Sequence, residues 1–346
     1  MSIAAEPKAS PAIRAIPNVG VRIAGSGLAV PDGTLTNFDL EQLMETSDEW
    51  IRQRTGITER RLADPLKGED VVHLATRALE RALADARMDA GELELVILAS
   101  VTGGMTCPAS SCRVINNIGA NGAAAFDVLA ACSGFVYGLN IANDMIRAGS
   151  FTRVAVIGCD VMSSVMDYEN RPVAILFGDA AGAAVLRATD DTSRGMLAAS
   201  MHADGSKWHD LYLPSNSSHL PEGADLSAVK MNSLQMNGRE VYKFAVGTFS
   251  KVIEQTLEKA GMQADDVDMY VCHQSNARML ESARKRFNLP EEKFYVNIDR
   301  FGNCSAGSVP VALQELRDAG KCQEGDVVMF VAFGGGLTWA ANLWRL

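Results

Sequence analysis

The chain repeats itself once, and an internal duplication narrows the possible folds more than any other feature of this sequence. Leu79-Glu80-Arg81-Ala82-Leu83-Ala84-Asp85-Ala86-Arg87-Met88 matches Ile253-Glu254-Gln255-Thr256-Leu257-Glu258-Lys259-Ala260-Gly261-Met262 without a gap. The match continues into Leu93-Glu94-Leu95-Val96-Ile97 against Val267-Asp268-Met269-Tyr270-Val271. Each copy reads as an amphipathic helix, a short acidic loop and a buried strand. Downstream, a helix ending at Ala148-Gly149 precedes the strand Val154 to Gly158, and a helix ending at Ala319-Gly320 precedes the strand Val327 to Ala332. Both helices stop at a glycine, the residue suited to a left-handed C-cap. Two αβ units can look alike by chance. The ungapped stretch, and an offset that stays between about 171 and 174 positions, favour duplication.

Alternating helices and strands predict an α/β fold with largely parallel sheets, covered on their faces. The halves run over 19–190 and 191–346, with the junction in the polar stretch Arg187 to Arg194. Residues 1–18 are rich in Ala and Pro and read as a flexible extension, without an apolar run of signal-peptide length. The region from about 202 to 240 has no counterpart in the first half, and its polar composition predicts loops near a site.

Composition excludes several classes. With 346 residues and 47% hydrophobic content the chain can bury a large core. A net charge of −10 argues against a nucleic-acid or anionic-membrane role. No apolar run approaches the roughly 18 residues of a membrane span. The seven cysteines include no C-x-x-C pair, which predicts neither disulfides nor a zinc site and places the protein in a reducing cytosol. No glycine-rich nucleotide motif is present, so nicotinamide and ATP chemistry lack a signature.

Cys132, in Asp127-Val128-Leu129-Ala130-Ala131-Cys132-Ser133-Gly134-Phe135, follows an apolar strand and opens a helix over Val136 to Arg147. A helix N-terminus favours thiolate, so the expected pKa is low and the residue suits a nucleophile. Alone, such a thiol is more often a small buried hydrophobe. An offset of 171 takes Cys132 to Asn303, which predicts a thiol and a carboxamide at paired helix starts. His273 follows the strand Met269 to Cys272, at the strand end where open α/β sheets bind ligands. His73 falls inside a helical pattern and reads as structural, while His202, His209 and His219 fall in the loop-rich region and read as exposed. Gly334-Gly335-Gly336 reads as a tight turn whose backbone N–H groups can also approach a ligand. Arg278, Arg284, Lys285 and Arg286 make one local basic surface, either a solvated helix face or a dock for an acidic partner.

Together these segments resemble β-ketoacyl-acyl-carrier-protein synthase III. The resemblance rests on Ala131-Cys132-Ser133-Gly134-Phe135, His273-Gln274-Ser275-Asn276, Gly302-Asn303-Cys304-Ser305-Ala306 and Phe333-Gly334-Gly335-Gly336-Leu337-Thr338-Trp339. Thr46-Ser47-Asp48-Glu49-Trp50-Ile51 leading to Arg54-Thr55-Gly56-Ile57, and Phe177-Gly178-Asp179-Ala180-Ala181-Gly182-Ala183, extend it over roughly 19–346. It implies a thiolase-like fold: two five-stranded halves in an α-β-α-β-α sandwich, working as a cytoplasmic homodimer.

The resemblance also implies roles. Cys132 would take an acyl group from a coenzyme A thioester. His273 and Asn303 would hold the carbonyl of malonyl-acyl carrier protein and stabilise the enolate left by decarboxylation. The N–H groups of Cys132 and Gly335 would form an oxyanion hole. Trp50 and Arg171 would bracket the adenine of coenzyme A, with Arg54 and Thr55 on its phosphate and pantetheine path and Asn276 lining the tunnel. Lys243, Arg278, Lys285 and Arg286 would meet the carrier protein. No metal or organic cofactor is implied. Cys107 stands where acetyl-preferring members often carry Phe, a side chain that crosses the dimer interface to close the partner's acyl pocket, so longer or branched primers are expected. Alternatives are polyketide priming, head-to-head acyl condensation, thioester hydrolysis and a non-catalytic scaffold. A thiolase would need a second catalytic Cys, and Cys304 is expected to be structural.

Overall fold

The structure, a computed structural model, describes residues 18–225 and 229–346. All but the last residue of the expected N-terminal extension lie outside the described residues. In the first half, β1 (Gly20–Ala29), β2 (Leu95–Ala99), β3 (Ala124–Val128), β4 (Arg153–Val161) and β5 (Asp179–Thr189) form one sheet in the order β1-β5-β4-β2-β3. In the second, β6 (Gly195–Ala203), β7 (Met269–Cys272), β8 (Val327–Gly334) and β9 (Thr338–Arg345) follow the order β6-β9-β8-β7. The two orders coincide position by position, as duplication requires.

Two expectations change. The sheets are mixed rather than largely parallel: β2 pairs parallel with β3 and β4, and β7 with β8, while the other pairs are antiparallel. The β8–β9 connection shows why, because a turn over Gly335 to Leu337 is too short for a crossover. Among the described residues the second sheet also has four strands where five were expected. Its fifth position holds a single bridge between Tyr270 and Phe294. A 3₁₀ turn over Glu291–Lys293 and a helix over Ile298–Phe301 leave too little extended chain between them for a strand.

Period-two alternation sorts the strand residues into three apolar layers. Leu95, Ile97, Val154 and Val156 face inward, against the helices Gly134–Arg147 and Ser308–Asp318, and meet Met269, Val271, Val328 and Phe330 from the other sheet. Val96, Leu98, Ala155 and Ile157 face outward under the helix Val71–Ala86. Tyr270, Cys272, Met329 and Val331 do the same under the helix Gly238–Ala260. The result is a five-layer α-β-α-β-α sandwich with two helices from opposite halves at its centre.

Those central helices correct the pairing of Cys132 with Asn303. Each follows a 3₁₀ turn, Ala131–Ser133 or Ser305–Gly307, whose first residue has positive φ (Ala131 45°, Ser305 48°). The counterpart of Cys132 is therefore Ala306. The first helix has 14 residues and the second 11, so the offset is 174 at their starts and falls to 171 only beyond them. Asn303 lies three residues ahead of Ala306, on the approach to the turn. The glycines after both helices are left-handed as expected (Gly149 φ 73°, Gly320 φ 67°).

Candidate active site

The N-terminal ends of the two central helices, the ends of β7 and β8, and the 202–240 region enclose one cavity of about 270 Å³. Cys132, His273 and Asn303 line it together, with Phe177, Leu211, Met236 and Phe333 as apolar walls. A second cavity of about 380 Å³ opens on the other side of Cys132, lined by Val101, Met162, Leu213, Leu234 and Gly335. The sulfur thus sits between a channel that reaches Trp50 at the surface and an apolar recess.

Cys132 occupies the 3₁₀ turn ahead of its helix and is 6% exposed. Its thiol donates to Ser305 Oγ at 3.4 Å. Burial pushes the thiol up to about 12, the charge of Asp160 adds to this, and the bond to Ser305 opposes it. This overturns the expected low pKa. A rise of that size is about 4 kcal/mol, whereas a helix N-terminus supplies at most about 2 kcal/mol. Cys132 is therefore a thiol at neutral pH.

His273 follows β7 and is 1% exposed. Burial lowers its pKa to about 3, so the ring is neutral. Nδ1 lies 2.8 Å from Ser308 Oγ, and that hydroxyl donates to the carbonyl of Ser305 at 2.6 Å. Ser308 has one hydrogen and spends it on Ser305. The network therefore assigns the ring proton to Nδ1 and leaves Nε2 with a free lone pair. Phe333 packs edge-on against the ring at 5.4 Å.

Asn303 is held at both backbone groups, its N–H to Leu176 O (2.8 Å) and its carbonyl from Gly178 N (3.1 Å). Its Oδ1 accepts from Ser305 N at 2.9 Å, which leaves the amide NH₂ as the free donor end. Gly334 brings β8 against Cys132. A Cβ there would stand 2.7 Å from Cys132 N, so only glycine fits. Gly335 lies next in the turn and closes the second cavity beside Cys132.

The outer residues fall less simply into place. Trp50, Arg54, Thr55 and Asn276 line the channel, but Arg171 does not. Instead its guanidinium lies 4.9 Å from the Trp50 ring centre, closing the expected bracket. The Thr55 hydroxyl is committed to its own helix end, bonding Ile51 O and Ile57 N. Asn276 caps the helix Ala277–Arg286 and donates to Arg54 O. In the basic patch, Lys243 pairs with Glu240, Lys285 with Glu281 and Arg286 with Glu254, and among the described residues no ion pair involves Arg278. Cys107 is exposed and lines neither cavity beside Cys132. Cys304 is buried and bonds Phe301 O, as a structural residue would. His202 departs from expectation: it ends β6 and stacks on Trp339 at 5.4 Å rather than lying exposed in a loop.

Ser305, Ser308 and Asp160 escaped the sequence reasoning. Asp160 is fully buried and accepts from Val101 N, Thr102 Oγ1 and Ala306 N, which fixes the second 3₁₀ turn. The available signal was Ser305-Ala306-Gly307-Ser308, two hydroxyls three apart just ahead of the apolar stretch Val309 to Leu313.

Comparison with known proteins gives a concordant result. The models for 3-oxoacyl-[acyl-carrier-protein] synthase III match residues 126–205, and 257–346 for its C-terminal part. The β-ketoacyl-[acyl-carrier-protein] synthase III of Caldanaerobacter subterraneus is 42% identical over 94% of this chain and 97% of its own. Among solved structures, 3-oxoacyl-[acyl-carrier-protein] synthase III from Aquifex aeolicus superposes with a TM-score of 0.87 at 40% identity, over 95% of this chain and all of that one. The priming β-ketosynthase of the R1128 polyketide pathway superposes at 0.90 with 31% identity, over 97% of this chain and 99% of that one.

Proposed function

The chain belongs to the β-ketoacyl-[acyl-carrier-protein] synthase III family, the condensing acyltransferases that make 3-oxoacyl-acyl carrier protein, and from that premise we propose how its pocket does so. The observation that carries the proposal is the convergence of three prepared groups on one cavity. These are a thiol, an imidazole with a free Nε2 and a carboxamide with a free NH₂.

In the first half-reaction Cys132 attacks the thioester carbonyl of an acyl-coenzyme A. Nε2 of His273 takes the thiol proton as the S–C bond forms, and the N–H groups of Cys132 and Gly335 hold the developing oxyanion. Coenzyme A leaves as a thiolate and is protonated by solvent. Imidazolium is costly in this pocket, and the carboxylate of malonyl-acyl carrier protein is the anion that offsets it. In the second half-reaction the malonyl carbon–carbon bond breaks and carbon dioxide departs. The enolate oxygen rests on the Nε2–H of His273 and the NH₂ of Asn303. The enolate carbon then attacks the acyl-Cys132 carbonyl, the Cys132 thiolate leaves, and it recovers its proton from His273. These steps use acyl-coenzyme A as substrate and no metal or organic cofactor.

Trp50 and Arg171 take the adenine. A ring stacked between them needs roughly 7 Å, so Arg171 swings off Trp50 on binding. Arg54 and Asn276 line the path inward, and Thr55 shapes it with its carbons only. Arg278, with Lys243, Lys285 and Arg286 beside it, receives the acidic carrier protein. The unit works as a cytoplasmic homodimer in which Cys107, shorter than the Phe of acetyl-preferring members, leaves the partner's acyl recess open. The higher identity to the fatty-acid relatives favours initiation of fatty acid synthesis over polyketide priming.

Carbon dioxide release from malonyl-acyl carrier protein tests the assignment. Asn303→Ala should lower it by about 10²–10³-fold while Cys132 is still acylated by acyl-coenzyme A. Unchanged release in Asn303→Ala would remove Asn303 from the mechanism.

A further inference from the structure

Arg60 is 1% exposed, and among the described residues no carboxylate forms an ion pair with it. Burial lowers its pKa to about 10, which leaves it a cation at neutral pH. A buried charge held only by neutral dipoles is an expensive way to fill space. Its bonds show what it joins.

Arg60 lies in the short strand Glu59–Arg61, opposite Leu35 in the strand Thr34–Thr36. Nη1 donates to Leu35 O at 3.1 Å and to Asn37 Oδ1 at 3.0 Å, and Nη2 donates to Ile175 O at 2.6 Å. Asn37 is fully buried and passes the contact on. Its Nδ2 donates to Asp48 Oδ1 at 2.9 Å and to Ile57 O at 2.8 Å. Asp48 opens the helix that carries Trp50. Ile175 ends the turn that begins at Arg171. The guanidinium therefore ties the segment bearing Trp50 to the segment bearing Arg171.

The stem of Arg60 reaches the reacting end as well. A Cβ on Gly178 would stand 2.8 Å from Arg60 Cβ, and one on Gly302 3.1 Å from it. Both glycines are neighbours of pocket residues, Phe177 and Asn303. Asn303 is in turn bonded to Leu176 and Gly178, in the segment Arg60 grips. Thr58 adds a second tie, donating from its hydroxyl to Asp299 O at 2.6 Å.

We propose that Arg60 is a positioning residue that sets the separation of Trp50 and Arg171, and so the recognition of the nucleotide end of the acyl-coenzyme A primer. This inference rests on the proposed seating of adenine between those two residues. Arg60 touches neither substrate nor sulfur. Its carbonyl and amide partners hold the two walls in register, as a packed second layer must for a bound group to be oriented.

The test compares two primers on the full-length protein: acyl-coenzyme A, and the same acyl group on N-acetylcysteamine, which keeps the thioester but lacks the nucleotide. Acylation of Cys132 is followed by mass. In the unsubstituted protein acyl-coenzyme A should be used at a lower KM than the truncated thioester. In Arg60→Met the KM for acyl-coenzyme A should rise roughly tenfold or more, the scale of a lost charged hydrogen bond, while the truncated thioester is unaffected. Arg60→Lys should recover part of the difference. Equal losses on both primers, or no loss on either, would overturn the proposal. If the unsubstituted protein shows no preference for acyl-coenzyme A, the seating of adenine itself is wrong and the proposal falls with it. Should the Arg60 variants not fold, Asn37→Ala removes the bond from Arg60 and those to Asp48 and Ile57 while keeping the guanidinium on Ile175, and it must show the same selective loss, or the proposal is overturned.

Discussion

His273 and Asn303 are each half-spent by the protein before any substrate arrives. Ser308 Oγ accepts from Nδ1–H of the histidine, and Ser305 N–H donates to Oδ1 of the asparagine. What remains is one acceptor and one donor pair aimed at the same space. The depressed pKa of His273 has a consequence for stability. Its folded value of about 3 lies below the ordinary value of 6.5, so the unfolded chain binds the extra proton between those values. Stability from this residue is present above pH 6.5 and is lost as pH falls toward 3. From pH 7 to 4 the loss is about 3 kcal/mol. Denaturant unfolding of the parent and of His273→Gln at both pH values checks this, and the variant should lose less by about that amount. Cys132 gives a second test. Its raised pKa keeps it a thiol through neutrality. Its alkylation by iodoacetamide in the free enzyme should keep rising with pH through 10, without the plateau near 7 of a thiolate nucleophile.

The elements that build the site are two 3₁₀ turns and one glycine turn. Gly334→Ala would push a methyl to 2.7 Å from Cys132 N. The turn would have to shift, and kcat should fall about 10²-fold with KM for the primer little changed. On the helix Ala277–Arg286, Arg278 is the member of the basic patch without an ion pair among the described residues. Arg278→Glu should weaken turnover with malonyl-acyl carrier protein, and this loss should shrink as salt rises. Turnover with malonyl-coenzyme A should be unaffected. At this scale the sequence was legible in part. Periodicity found the helices and strands that flank the site because their apolar faces are set by burial. It misplaced the partner of Cys132, because a three-residue difference in helix length leaves no mark on an apolar pattern. The motifs located Cys132, His273 and Asn303. They could not show the sign of the thiol's shift, which depends on how dry the assembled pocket is. Nor could they show Ser308 and Arg60, whose partners lie 35 and 115 positions away.

At the scale of the molecule, duplication puts two equivalent helix starts face to face, and divergence gives each a different task. The first half carries Cys132. The second carries His273 and Asn303 and, in the 202–240 region, walls that the first half lacks. The repeat made this architecture legible in the sequence, whereas the missing fifth strand was not, since Phe294 to Asn297 still reads as extended chain. In the proposed homodimer, Cys107 governs the acyl recess behind Cys132 across the subunit interface. Cys107→Phe should narrow the primer range, lowering use of long or branched primers roughly tenfold or more and leaving acetyl transfer intact. A primer panel measures this.

The central claim is that one thiol carries the acyl group between two substrates. Its most direct test follows that mass. The protein is incubated with acyl-coenzyme A and the peptide containing Cys132 is weighed, then malonyl-acyl carrier protein is added and both proteins are weighed again. The account predicts the acyl mass on Cys132 first. It then predicts loss of that mass from Cys132 with gain of the 3-oxoacyl mass on the carrier protein. Release of the acyl group as free acid, or its appearance on any residue other than Cys132, would contradict it.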